Sequence, residues 1–558
     1  MNRSLSLLIA TAVLFAACTT TAPPTATLIP PAFTPYLPTQ TPTTMPSPTR
    51  TPNPFPNSVL KVTGTEEVVY DWTTDRCENA NLIDLPSRAF RDAGGQTQLI
   101  LSHFVNYRMV GPDLNHLAID CNLIMSSQYD PNPGLFSDEE WIAAPYTEDG
   151  NTIYALAHNE YQGHTHPGKC PQGQYFPCWD NSITLVVSKD GGKTFSHALT
   201  PPTHLVARLP YPYEAGAGPE GARNPSNIIK GKDGFYYSFF NVSEYRTQNQ
   251  WVCLMRSDNL RDPASWRFWD GKEFNGQFID PYLNPPANPA NYVCPALEWN
   301  NIGAQMNDSI TYNTYLDRYI LVGISADTIG GREIWGVFYS FSDDLIHWTH
   351  RKLLREMILP WTAENNTDVM YLYFSLLDPA SESRNFETTG KTAYLYYTRQ
   401  NFGQGSLDRD LIRVAVEFYP SETEARKTIV STSEPTTEPV TLSILKKEFS
   451  VPVNIPVGLT FGWETQTAEQ TAEFLANLQF VVLLDGEPLP NVMEYWGEIK
   501  ARGGGRYGSQ WLYPIGPLSP GQHIVKIKMT LTKAVPDGFG NNTSGVFFEN
   551  TMRINVGN

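Results

Sequence analysis

The feature that most restricts the fold of this chain is a repeat. Between Glu66 and Phe418, short β-branched and aromatic runs alternate with Gly, Pro, Asn and Asp turns, and helical periodicity is almost absent. An apolar strand, a turn and a strand rich in Tyr and Phe recur: Arg88 to Leu101 around Gly94-Gly95, Ile142 to Ala157 around Asp149-Gly150, and Pro225 to Phe240 around Asp233-Gly234. Looser copies run from Asp308 to Gly323 and from Asp368 to Leu377. Later in a repeat a strand ends in a Ser/Asp turn followed by an aromatic residue, as in Ser188 to Phe195, Ser257 to Leu260 with Trp266, and Ser342 to Trp348. One such unit cannot cover its own apolar faces and must stack on its neighbours, so four-stranded repeats of about 50 to 85 residues predict a β-propeller. The copies give five blades, near 84–137, 138–200, 220–270, 304–350 and 360–418, with the strand from Glu66 to Trp72 expected to complete the last and close the ring.

The predicted fold class is all-β: a five-bladed β-propeller over 59–420, a Ser/Thr/Glu/Pro linker over 421–439, and a smaller immunoglobulin-like β-sandwich over 440–558. The last domain rests on Leu478 to Leu484 before an Asp485-Gly486 turn, and on His523 to Leu531, where Val525, Ile527 and Met529 alternate with Lys526 and Lys528. Leu518-Ser519-Pro520-Gly521-Gln522-His523 resembles the strand entry of immunoglobulin-like accessory domains. A net charge of −17 with no basic stripe argues against nucleic acid as a partner, while 12% aromatic residues suit a polysaccharide or oligosaccharide. A monomer is expected.

The N-terminus adds an address. Met1-Asn2-Arg3, an apolar run from Leu5 to Ala17 and then Cys18 read as a secretory signal too short to span a membrane. Ala16-Ala17-Cys18 resembles the lipobox of bacterial lipoproteins, with Phe15 where leucine is usual, so that 1–18 reads as signal peptide and lipobox, which implies removal of the residues before Cys18 and acylation of Cys18 as the new N-terminus. An ordinary signal peptide with an incidental cysteine is the other reading. Residues 19–58 hold 12 Thr, 12 Pro and one charge, Arg50, a composition that cannot bury a core. This stretch is expected to be a disordered spacer reaching up to about 120 Å. The expected location is outside the cytoplasm, on the cell surface or the periplasmic face, with the lipid as the only membrane contact. The six other cysteines suit disulfides in an exported protein. The pairing expected is Cys77 with Cys121, Cys170 with Cys178, and Cys253 with Cys294, out of fifteen possible sets.

Three blade starts carry a family resemblance. Asp84-Leu85-Pro86-Ser87, Trp141-Ile142-Ala143-Ala144-Pro145 and Glu220-Gly221-Ala222-Arg223-Asn224-Pro225, the last leading into Asp233-Gly234-Phe235-Tyr236-Tyr237, resemble the Asp-Pro, Trp-Ala-Pro and Glu-Gly-Pro openings of five-bladed glycoside hydrolases. These are the arabinanases and xylosidases of glycoside hydrolase family forty-three and its relatives. The resemblance implies hydrolysis by two carboxyl groups, with Asp84 as base, Glu220 as acid and Asp308 as a third carboxylate that tunes the acid. Capping of turns is the alternative role for all three. No cofactor is required by this chemistry; a structural calcium on the axis and any other metal stay open.

His158-Asn159-Glu160-Tyr161-Gln162-Gly163-His164-Thr165-His166 concentrates three imidazoles and a carboxylate at the end of an inner strand. Contact with a sugar, plain loop structure and a metal site all fit it, and Glu160 is an alternative catalytic acid. Substrate contacts are expected from Trp141, His158, Glu160, His164, His166, Arg223 and Asn224; Arg223 suits an acidic sugar unless Glu220 satisfies it. One or two of Trp179, Trp251, Trp299, Trp335 and Trp361 are expected to line the cleft. Ser188 to Phe195 fits the Asp-box of sialidase-type propellers, an outer turn that reports fold rather than activity, so a sialidase-like exoglycosidase is a minor alternative. The leading expectation is a tethered glycoside hydrolase; a carbohydrate-binding propeller without catalysis, and an adhesive protein, are the competing classes.

Overall fold

The computed structural model describes residues 53–425 and 440–557, apart from 172, 304, 330–331, 365–366, 404, 423, 454, 490–491, 503–504 and 541. The expected signal, Cys18, the spacer as far as Pro52 and residues 426–439 of the second linker lie outside the described residues. The chain is all-β, and no helix among the described residues is long and apolar enough to cross a membrane.

Strands Arg88–Arg91, Thr97–Leu101, Val105–Gly111 and Ala118–Ser126 form an antiparallel meander. A second meander, Glu139–Tyr146, Ile153–Gln162 and Trp179–Ser188 with Ser196–His197 at its edge, is continuous with a third. The third holds Glu220–Arg223, Tyr236–Val242, Trp251–Ser257 and Arg267–Phe268. The two join where Glu220–Arg223 runs parallel to Trp179–Ser188, with Glu220 beside Asp180 and Gly221 beside Asn181. The junction needs glycine: Gly221 has φ +108, and a Cβ there would meet the Asn181 carbonyl oxygen at 2.1 Å.

Ser309–Asn313, Arg318–Ile329, Arg332–Ser342 and Lys352–Glu356 form the next meander. The last begins with Val369–Leu377, Thr392–Asn401 and Arg409–Tyr419. Its fourth strand comes from the other end of the sequence: Val59–Tyr70 pairs antiparallel with Arg409–Tyr419, from Val59 opposite Tyr419 to Tyr70 opposite Leu411. Just before it, Asn53 donates from Nδ2 to the Leu316 and Asp317 carbonyls, so residues 53–58 of the expected spacer run against the fold.

The Ser/Asp turns repeat one chemistry. Asp190 Oδ1 accepts from the N–H groups of Lys193 and Thr194 at 3.0 Å, and Asp344 Oδ1 accepts from those of Ile346 at 3.1 Å and His347 at 2.8 Å. The aromatic residues that follow, Phe195, Trp266 and Trp348, are buried. Asp190 and Asp344 therefore bind their own turn backbone. The three disulfides pair as expected, with Cα separations of 5.4 Å for Cys77–Cys121, 5.8 Å for Cys170–Cys178 and 6.1 Å for Cys253–Cys294.

After residue 440 two further sheets share one apolar core, which includes Leu459, Phe480, Trp511, Ile527 and Ile554. The pattern of strands did not predict the helix Ala468–Asn477 between them. Thr467 and Gln470 close a capping box at its start, and the buried Phe474 stacks on Trp463 at 4.3 Å and 7°. This region docks on the meander before it: Leu483 shares a core with Leu353, Lys526 pairs with Glu356, and Lys61 lies 3.3 Å from Glu487. Thr467→Ala removes the cap, and urea unfolding is expected to show a loss of about 1 kcal/mol.

Candidate active site

Strand alternation decides which side chains share one face of the sheet. Residues directly opposite in neighbouring strands lie on one face of a sheet, and every second residue along a strand returns to that face. Glu139 opposes Glu160 and Trp141 opposes His158. Glu160 in turn opposes Asn181, which sits beside Gly221, and Arg223 follows two residues later. One face thus presents Glu139, Trp141, His158, Glu160, Asn181 and Arg223.

Asp84 comes to this group from the segment before the first meander. Its amide donates to the Ser102 carbonyl at 2.9 Å. Its Oδ1 accepts from the Tyr373 hydroxyl at 3.0 Å and from Arg409 Nη1, and its Oδ2 lies 3.8 Å from His103 Nε2. Tyr373 reaches it through an irregularity: the pairing of Val369–Leu377 shifts register between Leu372 and Ser375, and Tyr373 adopts φ 60, a costly conformation for a bulky residue. Leu85, Trp141 and Ala143 form an apolar floor against which Phe104 and Tyr373 pack.

The carboxyl groups of the funnel titrate in opposite directions. Burial raises the Asp84 pKa, but the charges of Arg409 and His103 and the Tyr373 and Arg409 hydrogen bonds outweigh it, leaving the pKa below the usual 3.8. Burial comes first for Glu160 too, and there the nearby charges of Asp84 and Glu139 add to it, so its pKa rises well above 4.5. Glu139 is pushed up to about 7 by burial, Asp138 and Asp84. Glu160 Oε2 accepts from Gln162 Nε2 at 2.7 Å, and Oε1 lies 3.8 Å from His158 Nε2. Burial lowers His158 to about 4, so it is neutral near pH 7. Asn181 Nδ2 donates to the Glu220 carbonyl at 2.6 Å, which turns Asn181 Oδ1 towards His158 Nε2 at 2.8 Å and puts the imidazole proton on Nε2.

Other expected residues are placed differently. Glu220 is not brought to Asp84: it lies beside Asp180 on the opposite face of the sheet from Glu160, and Asp180 is 3.3 Å from Arg208. Burial and Asp180 raise the Glu220 pKa against the opposing pull of Arg208 and the Glu214 backbone. Arg223 is accordingly not satisfied by Glu220; its Nε donates to Asn241 Oδ1 at 3.1 Å, and Glu160 is the leading charge that favours its cation. Arg88 Nη2 donates to the Asp308 backbone carbonyl and Nη1 to Ser375 Oγ at 2.7 Å; burial raises the Asp308 carboxyl to about 7 against the opposing pull of the Arg88 charge and backbone N–H groups.

The three imidazoles of the 158–166 segment diverge. His158 faces the funnel, His164 is exposed against the edge of Tyr175, and His166 Nε2 lies 2.9 Å from Asp138 while stacking on Tyr161. They do not form one metal site. Asn224, at φ 50, bonds through its carbonyl to Asn307 Nδ2 at 2.7 Å and contributes to the surroundings of His158. Of the five tryptophans, Trp179 stacks on Tyr175, whose hydroxyl is 3.4 Å from Gln162 Nε2. Trp251 Nε1 donates to the Cys294 carbonyl, Trp335 and Trp361 meet edge to face at 6.0 Å, and Trp299 is exposed on a short helix.

Sequence reasoning missed Glu139, His103, Tyr373 and Arg409. Glu139 was within reach, since it stands two residues before Trp141 in an alternating strand. Arg409 is 325 residues from Asp84 and no local pattern marks it.

No family model matches the chain, and no curated protein does. Solved structures that align with it include a xylan β-1,4-xylosidase from Bacillus halodurans, 13% identical, covering 60% of this chain and 54% of that one at a TM-score of 0.32. An endo-1,5-α-L-arabinanase from Thermotoga petrophila is 10% identical over 80% and 93% of the two chains, with a TM-score of 0.35. A Bombyx mori β-fructofuranosidase is 13% identical over 85% and 86%, with a TM-score of 0.34. The chain spans about half the length of the xylosidase. Likeness at this level decides nothing about the chemistry, which rests on the side chains themselves.

Arg409→Met removes the charge that most depresses Asp84 and leaves burial to dominate. The Asp84 carboxyl is then expected to titrate above 3.8, read by carboxyl-carbon NMR of aspartate-labelled protein with Asp84→Asn as the assignment control.

Proposed function

We propose that this protein is a glycoside hydrolase-like enzyme of five-bladed propeller architecture, acting on an extracellular polysaccharide or oligosaccharide. Asp84 is the base and Glu160, rather than Glu220, the acid. The observation that carries this reading is the different surroundings of two buried carboxyls: Asp84 accepts from Tyr373 and Arg409, which outweigh its burial and lower its pKa, whereas burial and the charges of Asp84 and Glu139 raise that of Glu160, which accepts from Gln162. Glycosidic hydrolysis requires that division, one group protonating the leaving oxygen and the other activating water or attacking the sugar. Tyr373, Arg409 and His103 hold Asp84 in its charged state. Phe104, partly exposed above the buried Trp141, offers an aromatic face to a sugar, and Arg223 offers a cation to an acidic substituent.

The eleven-stranded sheet is counted here as two blades joined through Gly221, which with the other three meanders makes five. The region from 440 is taken as an immunoglobulin-like accessory domain, and the protein as a monomer. Cys18, acylated after removal of the signal, would tether the enzyme outside the cytoplasm on the Thr/Pro spacer, where bulky polymers are met without transport. The chemistry needs no cofactor.

A second reading has its own support. Asp84 Oδ1 already accepts from Arg409 and Tyr373, and a carboxylate so engaged also suits a protein that binds sugar without cleaving it. A screen of arabinan, xylan, fructan and acidic polysaccharides, reading reducing ends and binding in parallel, separates the two. Turnover that falls about 100-fold or more in both Asp84→Asn and Glu160→Gln is expected; binding without turnover in the parent protein would establish the second reading instead.

The pH profile follows from the signs of the shifts. Activity should rise as pH climbs through the lowered Asp84 pKa, below 3.8, and fall as pH climbs through the raised Glu160 pKa, well above 4.5. The profile of kcat/KM should therefore be flat across the ordinary carboxylate range, and residual activity of Glu160→Gln should lack the alkaline limb.

A further inference from the structure

On the face of the Glu139–Tyr146 strand turned away from the funnel, Glu140 is buried next to two imidazoles. His197 Nε2 lies 3.0 and 2.8 Å from the two Glu140 carboxyl oxygens, and the His197 and His204 ring centroids are 4.3 Å apart. A ligand-capable atom from each of the three residues lies within 4.8 Å of the others. His204 is fully buried. Its Nε2 lies 3.1 Å from the Phe136 carbonyl oxygen, and the Pro202 carbonyl also acts on the ring.

We propose that Glu140, His197 and His204 form a binding site for a divalent metal of the zinc class. Two imidazoles and one carboxylate are a ligand set that zinc takes at about 2.0–2.2 Å, with water completing a tetrahedron. Drawing ligand atoms up to 4.8 Å apart around one ion takes side-chain movements of roughly 1 Å. The surroundings are those of a metal centre. The Phe136 carbonyl is an outer hydrogen-bond partner for one ligand ring, and the Thr184 hydroxyl, 3.5 Å from Glu140 Oε1, stands by the carboxylate. His197 is partly exposed and gives an ion a way in. Bound there, the ion would cross-link the strand that carries Glu139 and Trp141 to the sheet-edge residue His197 and to His204, behind the funnel wall.

The competing arrangement is a buried ion pair, with His197 protonated against Glu140 and His204 a bystander. Untagged full-length protein stripped with a chelator and titrated with Zn²⁺ by calorimetry separates the two. One saturable site per chain with micromolar or tighter affinity is expected, together with a Tm several degrees higher with zinc than with chelator. Affinity should fall at least tenfold in His197→Ala and in Glu140→Gln, and stay unchanged in His158→Ala, which lies in the funnel. Absence of saturable binding, or equal binding in the His197 and Glu140 variants, would overturn the assignment. Should a variant fail to fold, cobalt(II) added to the stripped parent protein supplies the answer: visible d–d bands of imidazole-ligated, low-coordinate cobalt are expected, and a spectrum of hydrated cobalt alone would sink the site.

Discussion

Pairing of the first strand with the last holds the funnel together. Val59–Tyr70 lies against Arg409–Tyr419, and Tyr70 sits opposite Leu411, two residues from Arg409. The same closure sets the start of that last strand beside the segment that follows Tyr70, where Asp84 is found. The Asp84–Arg409 contact thus depends on a pairing made between the two ends of the sheet region, and with it the lowering of the Asp84 pKa. Until that pairing forms, Asp84 lacks the guanidinium that offsets its burial.

The central face then follows from a few hydrogen-bonded registers. With Glu139 opposite Glu160, and Glu160 opposite Asn181, the alternation of strands leaves no choice about which carboxyls face one another. A slip of one residue would set Glu139 opposite Asn159 or Tyr161 in place of Glu160. Close approach at Gly221 carries the register across from one meander to the next, and so places Arg223 on the same face as Glu160. Glu220, one residue earlier, is directed to the other side by the same rule.

This explains what the sequence made legible and what it concealed. Hairpins around Gly95, Gly150 and Gly234, the Asp-centred turns and the Cys170–Cys178 pair depend on neighbours in sequence or on a short loop, and were readable; Cys77–Cys121 and Cys253–Cys294 span 44 and 41 residues and were not fixed by spacing. The carboxyl that shares a face with Asp84 was harder. Glu220 belongs to a familiar-looking Glu-Gly opening, but a motif does not state which face a side chain takes, and the register beside Asp180 directs it away. Tyr373 enters the funnel through a bulge and a left-handed backbone that no periodicity announces. The Ala468–Asn477 helix could have been read from Thr467 and Gln470, a capping box in an otherwise strand-like stretch. His197 and His204 carry no spacing that links them to Glu140; the sheet supplies it.

The Cys170–Cys178 bond fastens a short loop that carries Tyr175. Tyr175 stacks on Trp179 and reaches Gln162, which in turn donates to Glu160. Opening this one bond, as in a Cys170→Ser, Cys178→Ser double variant, would free the loop and loosen the aromatic stack beside Gln162 and Glu160 while the bonds that tie the strand cysteines Cys121 and Cys253 stay in place. The covalent state of two sulfur atoms at the rim is thereby coupled to how well the funnel is shaped for a ligand, and an oxidising environment is part of what completes it.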